Sequence, residues 1–226
     1  MDMSDELSDL EEVEKLCQRL VVRAIYDYLP NALKIFSEET DNVADVAEDL
    51  TREALDKLGM SRINLRLYGK IDYKQAIVIF LTEREVEVAL FIDSKAEKDD
   101  NTATLQMSQT TMEVRQKRAG QDVGIKGELP ILVEKSGKAL QTVTIIVKYV
   151  YDDANQIKNL VKIVVACIPS GVFQDKYNPN PEKSIWLAGR NAYSLGEDFR
   201  VRLAFKKLAD VSSWRVRIID ANITKT

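Results

Sequence analysis

The chain has 226 residues, of which 45% are hydrophobic and 30% are charged, and its net charge is −4. These values permit a sizeable hydrophobic core and exclude a disordered or fibrous chain, so we expect a single domain over residues 1–226. The sequence contains no histidine, which excludes Ser-His-Asp and Cys-His nucleophile systems, HNH nucleases and most zinc hydrolases, because each of them requires an imidazole.

The first quarter of the chain has the apolar spacing of helices. Apolar residues recur at helical intervals from residue 8 to about residue 37, which predicts one long helix or two helices joined near Pro30. A second helix is predicted from Val43 to Leu58, and Gly59 would end it. We interpret this helical region, residues 1–60, as a scaffold or dimerisation element.

The remaining part, residues 61–226, carries strand patterns. Apolar or alternating runs predict strands at 75–81, 86–92, 142–151, 161–168, 199–205 and 214–220. Short connections predict that the first two and the next two form antiparallel pairs, with a helix between the pairs in residues 105–116. This order, helices first and then a mixed or antiparallel sheet with a helix interposed, indicates an α/β or α+β fold.

The sequence also bears on the cellular compartment. No run of about 18 apolar residues could span a bilayer, and the acidic start lacks the basic and apolar regions of a secretory signal. We therefore expect a cytoplasmic protein with no membrane association. Cys17 and Cys167 show neither CxxC spacing nor a disulfide pattern, which favours two reduced, buried thiols.

The charges are distributed unevenly along the chain. Residues 1–60 contain 16 acidic and 6 basic residues, a net −10, which leaves 20 acidic and 26 basic residues, a net +6, in residues 61–226. This basic excess fits a nucleic-acid surface, with the acidic helices facing water or a partner subunit. An acidic solvated helix before a domain of ordinary mixed charge fits the charges equally well.

Charged residues surround the first predicted strand pair. Asp93 and Lys95 end the apolar strand 86–92, and they project from one face because side chains alternate along a strand. Ser94 points the other way. An antiparallel return of the chain would bring Asp72 next to Asp93, so that two carboxylates meet beside one lysine.

This grouping suits the hydrolysis of a phosphodiester bond. The carboxylates, together with the backbone carbonyl of Ser94, could hold Mg²⁺, which prefers oxygen ligands and lowers the pKa of a bound water. Lys95 could position or deprotonate the attacking water. An Asp-x-Lys sequence at a strand end is also common as a surface ion pair worth at most about 1 kcal/mol, and this alternative stays open.

At these residues the sequence resembles the PD-(D/E)xK nucleases, with Ile71-Asp72 as a divergent first half of the motif and Asp93-Ser94-Lys95 as the second. Further similar segments narrow the resemblance to the SfiI family of type II restriction endonucleases. These segments are Ala47-Glu48-Asp49, Thr104 to Gln109, Lys176 to Pro181 and Gly196 to Arg202.

The resemblance implies a bacterial enzyme with a restriction-endonuclease-like core, a central mixed sheet flanked by helices, in which residues 61–226 are the catalytic and DNA-binding part. It also implies Asp72, Asp93 and Lys95 as catalytic residues and Mg²⁺ as cofactor. It implies cleavage of both strands of a palindromic double-stranded DNA, leaving 5′-phosphate and 3′-hydroxyl ends. It also implies a homodimer, or a tetramer built from dimers. An additional acidic ligand, Glu48 or Asp49, stays open.

The resemblance further indicates residues that would contact DNA, through amide and guanidinium groups suited to bases and phosphates. These are Arg200, Arg202, Gln106, Ser108, Gln109, Tyr177 and Asn178. A solvated sheet face, a polar helix surface or a simple turn is the alternative for each group.

Two other functions remain possible from the sequence. One is a PD-(D/E)xK repair or recombination nuclease without strict sequence preference. The other is a non-catalytic DNA-binding or assembly protein in which Asp93 and Lys95 form only a surface ion pair.

Overall fold

The structure is a computed structural model that describes residues 3–38, 43–57, 61–62, 76–98, 101–154, 157–188 and 200–221. Two helices open the chain, α1 (Met3–Glu38) and α2 (Val43–Asp56). Pro30 lies inside α1, so the first predicted element is one long helix and not two. None of the described helices combines the length and the apolar character needed to cross a bilayer.

The strands follow in chain order, with two short helices near the end. They are β1 (Ser61–Arg62), β2 (Ala76–Leu81), β3 (Val86–Glu97), β4 (Thr102–Gln106), β5 (Val114–Arg118), β6 (Gln121–Ile125), β7 (Leu132–Lys135), β8 (Lys138–Ala154), β9 (Ile157–Ile168), β10 (Trp186–Ala188), β11 (Arg200–Ala204) and β12 (Val216–Asp220), with α3 (Gln174–Tyr177) and α4 (Phe205–Val211).

Within the described residues, seven of these strands form a mixed central sheet. Its order is β1-β2-β3-β8-β9-β12, and β7 also pairs with β8. β3 and β8 run parallel, whereas the other pairs are antiparallel. The predicted antiparallel pairs, β2 with β3 and β8 with β9, are confirmed.

The helix predicted within residues 105–116 is wrong. This stretch holds the end of β4, a 3-10 turn at Met107–Gln109 and the start of β5. β4 pairs with β11, which joins it to β10 in a second sheet. Ala103 and Leu105, two residues apart, are fully buried. The strand period therefore decides the structure here, because distant pairing overrides a local helical pattern.

The central sheet separates two layers. On one face, Leu90 and Ile92 of β3 pack in a core with α1 and α2. On the other face, Ile146 of β8 belongs to a core shared with the second sheet, and Ala89 and Phe91 of β3 belong to a smaller cluster. Asp93 and Lys95 continue the Ala89 and Phe91 side, so they lie on the face away from the helices.

A buried polar cluster fastens α1 to the sheet. Glu14 and Arg215 are both fully buried and form an ion pair with 2.5 Å between Glu14 Oε2 and the guanidinium. The backbone amide of Ser170 donates to Glu14 Oε1 at 2.8 Å.

Cys17 and Cys167 are buried free thiols, as predicted, and burial raises the pKa of both.

Candidate active site

Asp93 and Lys95 lie inside β3 and not at its end. The strand continues to Glu97 because residues Val88 to Glu97 pair in parallel with β8. Lys95 Nζ lies 2.8 Å from Asp93 Oδ2, and the exposed fractions of the two side chains are 20% and 16%. The partners of the surface ion pair Arg23–Asp27 are 74% and 50% exposed. The pair on β3 is therefore much less solvated than a surface ion pair.

The carboxylate of Asp93 has unused capacity to bind a cation. Its Oδ2 is buried, and no described residue donates a hydrogen bond to it, so the contact with Lys95 is ionic. A carboxylate has about four lone-pair sites, so the ion pair with Lys95 leaves room for a further ligand. An additional hard cation such as Mg²⁺ could occupy that room, since it prefers carboxylate oxygens. The geometry at Asp93 therefore fits a metal ligand.

The rest of the predicted ligand set is only partly visible. Asp72 lies outside the described residues. Among the residues that the structure does describe, no three acidic or thiol side chains form a ready metal site. Ser94 lies between Asp93 and Lys95 and is in register with Val147 of β8. Its backbone is therefore held by the same strand that positions the ion pair.

A second charged pair, which the sequence analysis missed, lies beside the first. Lys148 of β8 is in register with Lys95, and its side chain is fully buried. Lys148 Nζ donates to Glu97 Oε2 at 2.6 Å and also to the backbone carbonyl of Thr102. The available signal was a single lysine within the apolar run 142–151. The sequence could not identify its partners.

The second sheet brings three of the predicted DNA-contacting residues together. Arg200 is directly opposite Gln106 in the antiparallel β11–β4 pair, and Arg202 follows on the same face. All three are partly exposed, whereas Val201 and Leu105 on the opposite face are fully buried. The structure therefore presents an accessible face with two guanidinium groups and an amide.

The other predicted contacts are largely enclosed. Ser108, Gln109, Tyr177 and Asn178 are all buried. Gln109 Oε1 accepts from the backbone amide of Gln106 at 3.0 Å. Tyr177 Oη accepts from Arg215 Nε at 2.6 Å. These side chains support the elements around the site, and their contact with DNA stays a prediction.

Asn178 shows how such a side chain organises its neighbours. Its Oδ1 accepts from the backbone amide of Arg115 at 2.7 Å, and its Nδ2 donates to the Arg115 carbonyl at 2.9 Å. The amide thereby bonds to β5 as a neighbouring strand would. The polar atoms of Asn178 are used inside the protein.

Glu48 and Asp49, the two candidates for an additional metal ligand, lie on α2. Asp49 forms an ion pair with Arg52 at 2.5 Å, and its side chain is 54% exposed. Glu48 is partly buried. The buried side of α2 packs on the helical face of the sheet, opposite to Asp93.

Comparison with known proteins identifies the family. A family model described as "Type II restriction enzyme SfiI" matches residues 26–219. The chain is 31% identical to the type II restriction enzyme SfiI of Streptomyces fimbriatus, over 93% of this chain and 84% of that protein.

Solved structures of restriction endonucleases also resemble this one. The tetrameric restriction endonuclease SfiI bound to cognate DNA matches with a TM-score of 0.80 and 28% identity, covering 95% of this chain and 85% of that one. The restriction endonuclease BglI bound to its DNA recognition sequence matches with a TM-score of 0.71, 16% identity and coverages of 96% and 94%, which shows a shared fold. The chain therefore belongs to the family of the type II restriction enzyme SfiI, and it is a PD-(D/E)xK restriction endonuclease.

Proposed function

We propose that this endonuclease cuts both strands of a palindromic duplex DNA in a Mg²⁺-dependent hydrolysis that leaves 5′-phosphate and 3′-hydroxyl ends. The observation that carries the proposal is the partly buried Asp93–Lys95 pair, in which Asp93 Oδ2 has no hydrogen-bond donor among the described residues. The family of the chain supports the DNA substrate.

Asp72, Asp93 and the Ser94 carbonyl would hold the metal. β2 begins four residues after Asp72, and its first residue, Ala76, is opposite Phe91 of β3. The chain thus reaches β2 near the level of Asp93, which supports Asp72 as the second acid. When bound, Mg²⁺ polarises the scissile phosphate and lowers the pKa of its water.

Lys95 would act on the attacking water and on the phosphate. Its ammonium is held 2.8 Å from Asp93 Oδ2, so a water bound beside that carboxylate lies within reach of Nζ. As an ammonium, Lys95 can orient this water for in-line attack and offset the negative charge of the phosphate. As a neutral amine, it would instead accept the proton that the water releases on attack.

The accessible face of the second sheet would read the DNA. Arg200 and Arg202 carry planar groups that can bond two acceptors of a guanine or a phosphate, and the Gln106 amide can pair with an adenine edge. Their common face is fixed by the β11–β4 register. Ser108, Gln109, Tyr177 and Asn178 would contribute to the interface through the elements that they support, as Gln109 does by accepting from the backbone amide of Gln106.

The active form would be a homodimer or a tetramer of two dimers, in the bacterial cytoplasm. Each chain supplies one Asp93–Lys95 pair, and a palindrome presents two equivalent phosphates, which a two-fold pair of subunits can cut together. The SfiI structure that matches this chain is tetrameric. Sedimentation velocity with and without a target duplex would test this assembly, and a purely monomeric species would contradict it.

Digestion of phage DNA of known sequence tests the activity. With Mg²⁺ we expect discrete fragments whose mapped ends share one palindrome and can be joined by ligase, which requires 5′-phosphate and 3′-hydroxyl ends. Cleavage should stop when EDTA is added. A continuous smear would contradict sequence specificity, and DNA that stays intact with Mg²⁺ or Mn²⁺ would contradict the catalytic proposal.

A further inference from the structure

We propose that Lys148 is a positioning residue that links the catalytic strand β3 to the DNA-reading strands β4 and β11. This inference rests on the proposed function of the site. Lys148 cannot bind DNA directly in this structure, because its side chain is fully buried. Its role must therefore act through the groups that it contacts.

The contacts of Lys148 close the connection between two strands. Glu97 is the last residue of β3 and lies two residues after Lys95 on the same face, and Thr102 is the first residue of β4. Lys148 Nζ bonds the carboxylate of Glu97 at 2.6 Å and the carbonyl of Thr102. One ammonium thus holds the end of the catalytic strand and the start of β4.

The start of β4 is also where the second sheet is anchored. Thr102 is in register with Ala204 at the end of β11, and the backbone amide of Phe205 donates to the Asn101 carbonyl at 3.1 Å. Lys148 Nζ lies 5.9 Å from the centroid of the Phe205 ring. The ammonium therefore lies at the junction that sets the position of β11 relative to β3.

This junction couples DNA reading to catalysis. Arg200 and Arg202 belong to β11, whereas Asp93 and Lys95 belong to β3. Displacement of reacting groups by about 1 Å can cost about 100-fold in rate. If the link between β11 and β3 is rigid, only a duplex that fits the arginines of β11 brings its phosphate to the correct position at Asp93 and Lys95. Buried charges that keep their partners also favour one arrangement of the chain over its alternatives.

The test is the variant Lys148→Met, which keeps an unbranched side chain one atom shorter than lysine and removes the charge. The substrate is phage DNA of known sequence, whose mapped ends report cleavage at the palindrome and at sites that differ from it by one base pair. We expect the ratio of cognate to near-cognate cleavage to fall about tenfold or more, with kcat changing more than KM. Thermal unfolding measured in parallel reports whether the variant is folded.

The control is Lys138→Met. Lys138 also joins β8 to β3, through Glu87 at 2.8 Å, but it lies at the other end of the strand pair and is 68% exposed. This variant should retain the wild-type cleavage ratio. If Lys148→Met lowers both cleavage rates in equal proportion, the residue is only structural and the inference is wrong.

A second variant keeps the inference testable if Lys148→Met does not fold. Glu97→Ala removes one end of the link from a side chain that is 36% exposed, and Lys148 keeps its bond to the Thr102 carbonyl. Loss of discrimination in this variant supports the link, and an unchanged ratio overturns it. Failure of the proposed function would look different, because the wild-type protein would then produce no discrete ends.

Discussion

Two charged pairs, one between α1 and the sheet and one on β3, use charge in opposite ways. On the helical face, Glu14 and Arg215 are fully buried and satisfy each other and their neighbours. On the other face, Asp93 and Lys95 are only partly buried, and Asp93 Oδ2 has no donor among the described residues. The first pair is fully bonded inside the protein and fixes structure, whereas the Asp93 carboxylate of the second keeps lone pairs that can take a further ligand. The comparison separates groups that hold the fold from groups that we propose act on a substrate.

The largest effect is expected for Asp93→Ala. Removing this carboxylate should lower the single-turnover cleavage rate by about 10³-fold or more, because a metal contributes several kcal/mol to the transition state. Binding of the target duplex without metal, measured by fluorescence anisotropy, should persist.

Asp27→Ala is the matched control for this variant. Asp27 also pairs with a basic residue, Arg23, at 2.6 Å, but on the exposed surface of α1. The Asp27→Ala variant should cleave DNA at the wild-type rate. Rapid cleavage by the Asp93 variant would remove the distinction between the two faces.

On the helical face the expected effect is on stability. Glu14→Leu would leave the Arg215 guanidinium buried without its carboxylate, and breaking such a pair costs about 3–5 kcal/mol of the free energy of unfolding. Urea denaturation followed by circular dichroism measures this loss. The double variant Glu14→Leu with Arg215→Met should regain most of the stability, since no unpaired charge then remains. If Glu14→Leu lowers the free energy of unfolding by less than about 1 kcal/mol, the Glu14–Arg215 pair contributes no more than an ordinary surface ion pair.

The sequence predicted the features of both faces that depend on local spacing. The two helices, the two hairpin pairs and the common face of Asp93 and Lys95 follow from periods of 3.6 and 2 residues. The parallel β3–β8 pairing does not, because Val88 and its partner Gln141 are far apart in the chain. That pairing extends β3 beyond residue 92.

The same limit explains the main errors and omissions. The stretch 105–116 was predicted as helix because its strand partner, β11, begins only at Arg200. The role of Lys148 was missed because its partners, Glu97 and Thr102, lie on other strands. Pairing between distant strands decides these features. The residues next to a strand in the sequence do not show which distant strand it will pair with.

Changes to the arginines of β11 should have an intermediate effect. Arg200→Ala or Arg202→Ala should weaken binding of the target duplex by about 1–3 kcal/mol, the worth of one good base contact. Anisotropy titrations in the Asp93→Ala background separate this loss from catalysis. Arg217→Ala on β12 is the control, since Arg217 is exposed and lies on the other sheet. Equal losses for the three arginines would indicate a general charge effect and not a reading surface.

The smallest effect is expected for Asp49→Asn. Asp49 is 54% exposed and is paired with Arg52 on α2, which packs on the helical face of the sheet. A surface substitution of this kind usually changes energies by no more than about 0.5 kcal/mol, so the cleavage rate should stay within about twofold of wild type. Single-turnover rates over a range of Mg²⁺ concentrations give the most sensitive measurement. A rate loss of about tenfold that is recovered at high Mg²⁺ would make α2 a source of metal ligands, and catalytic chemistry would then not be confined to one face.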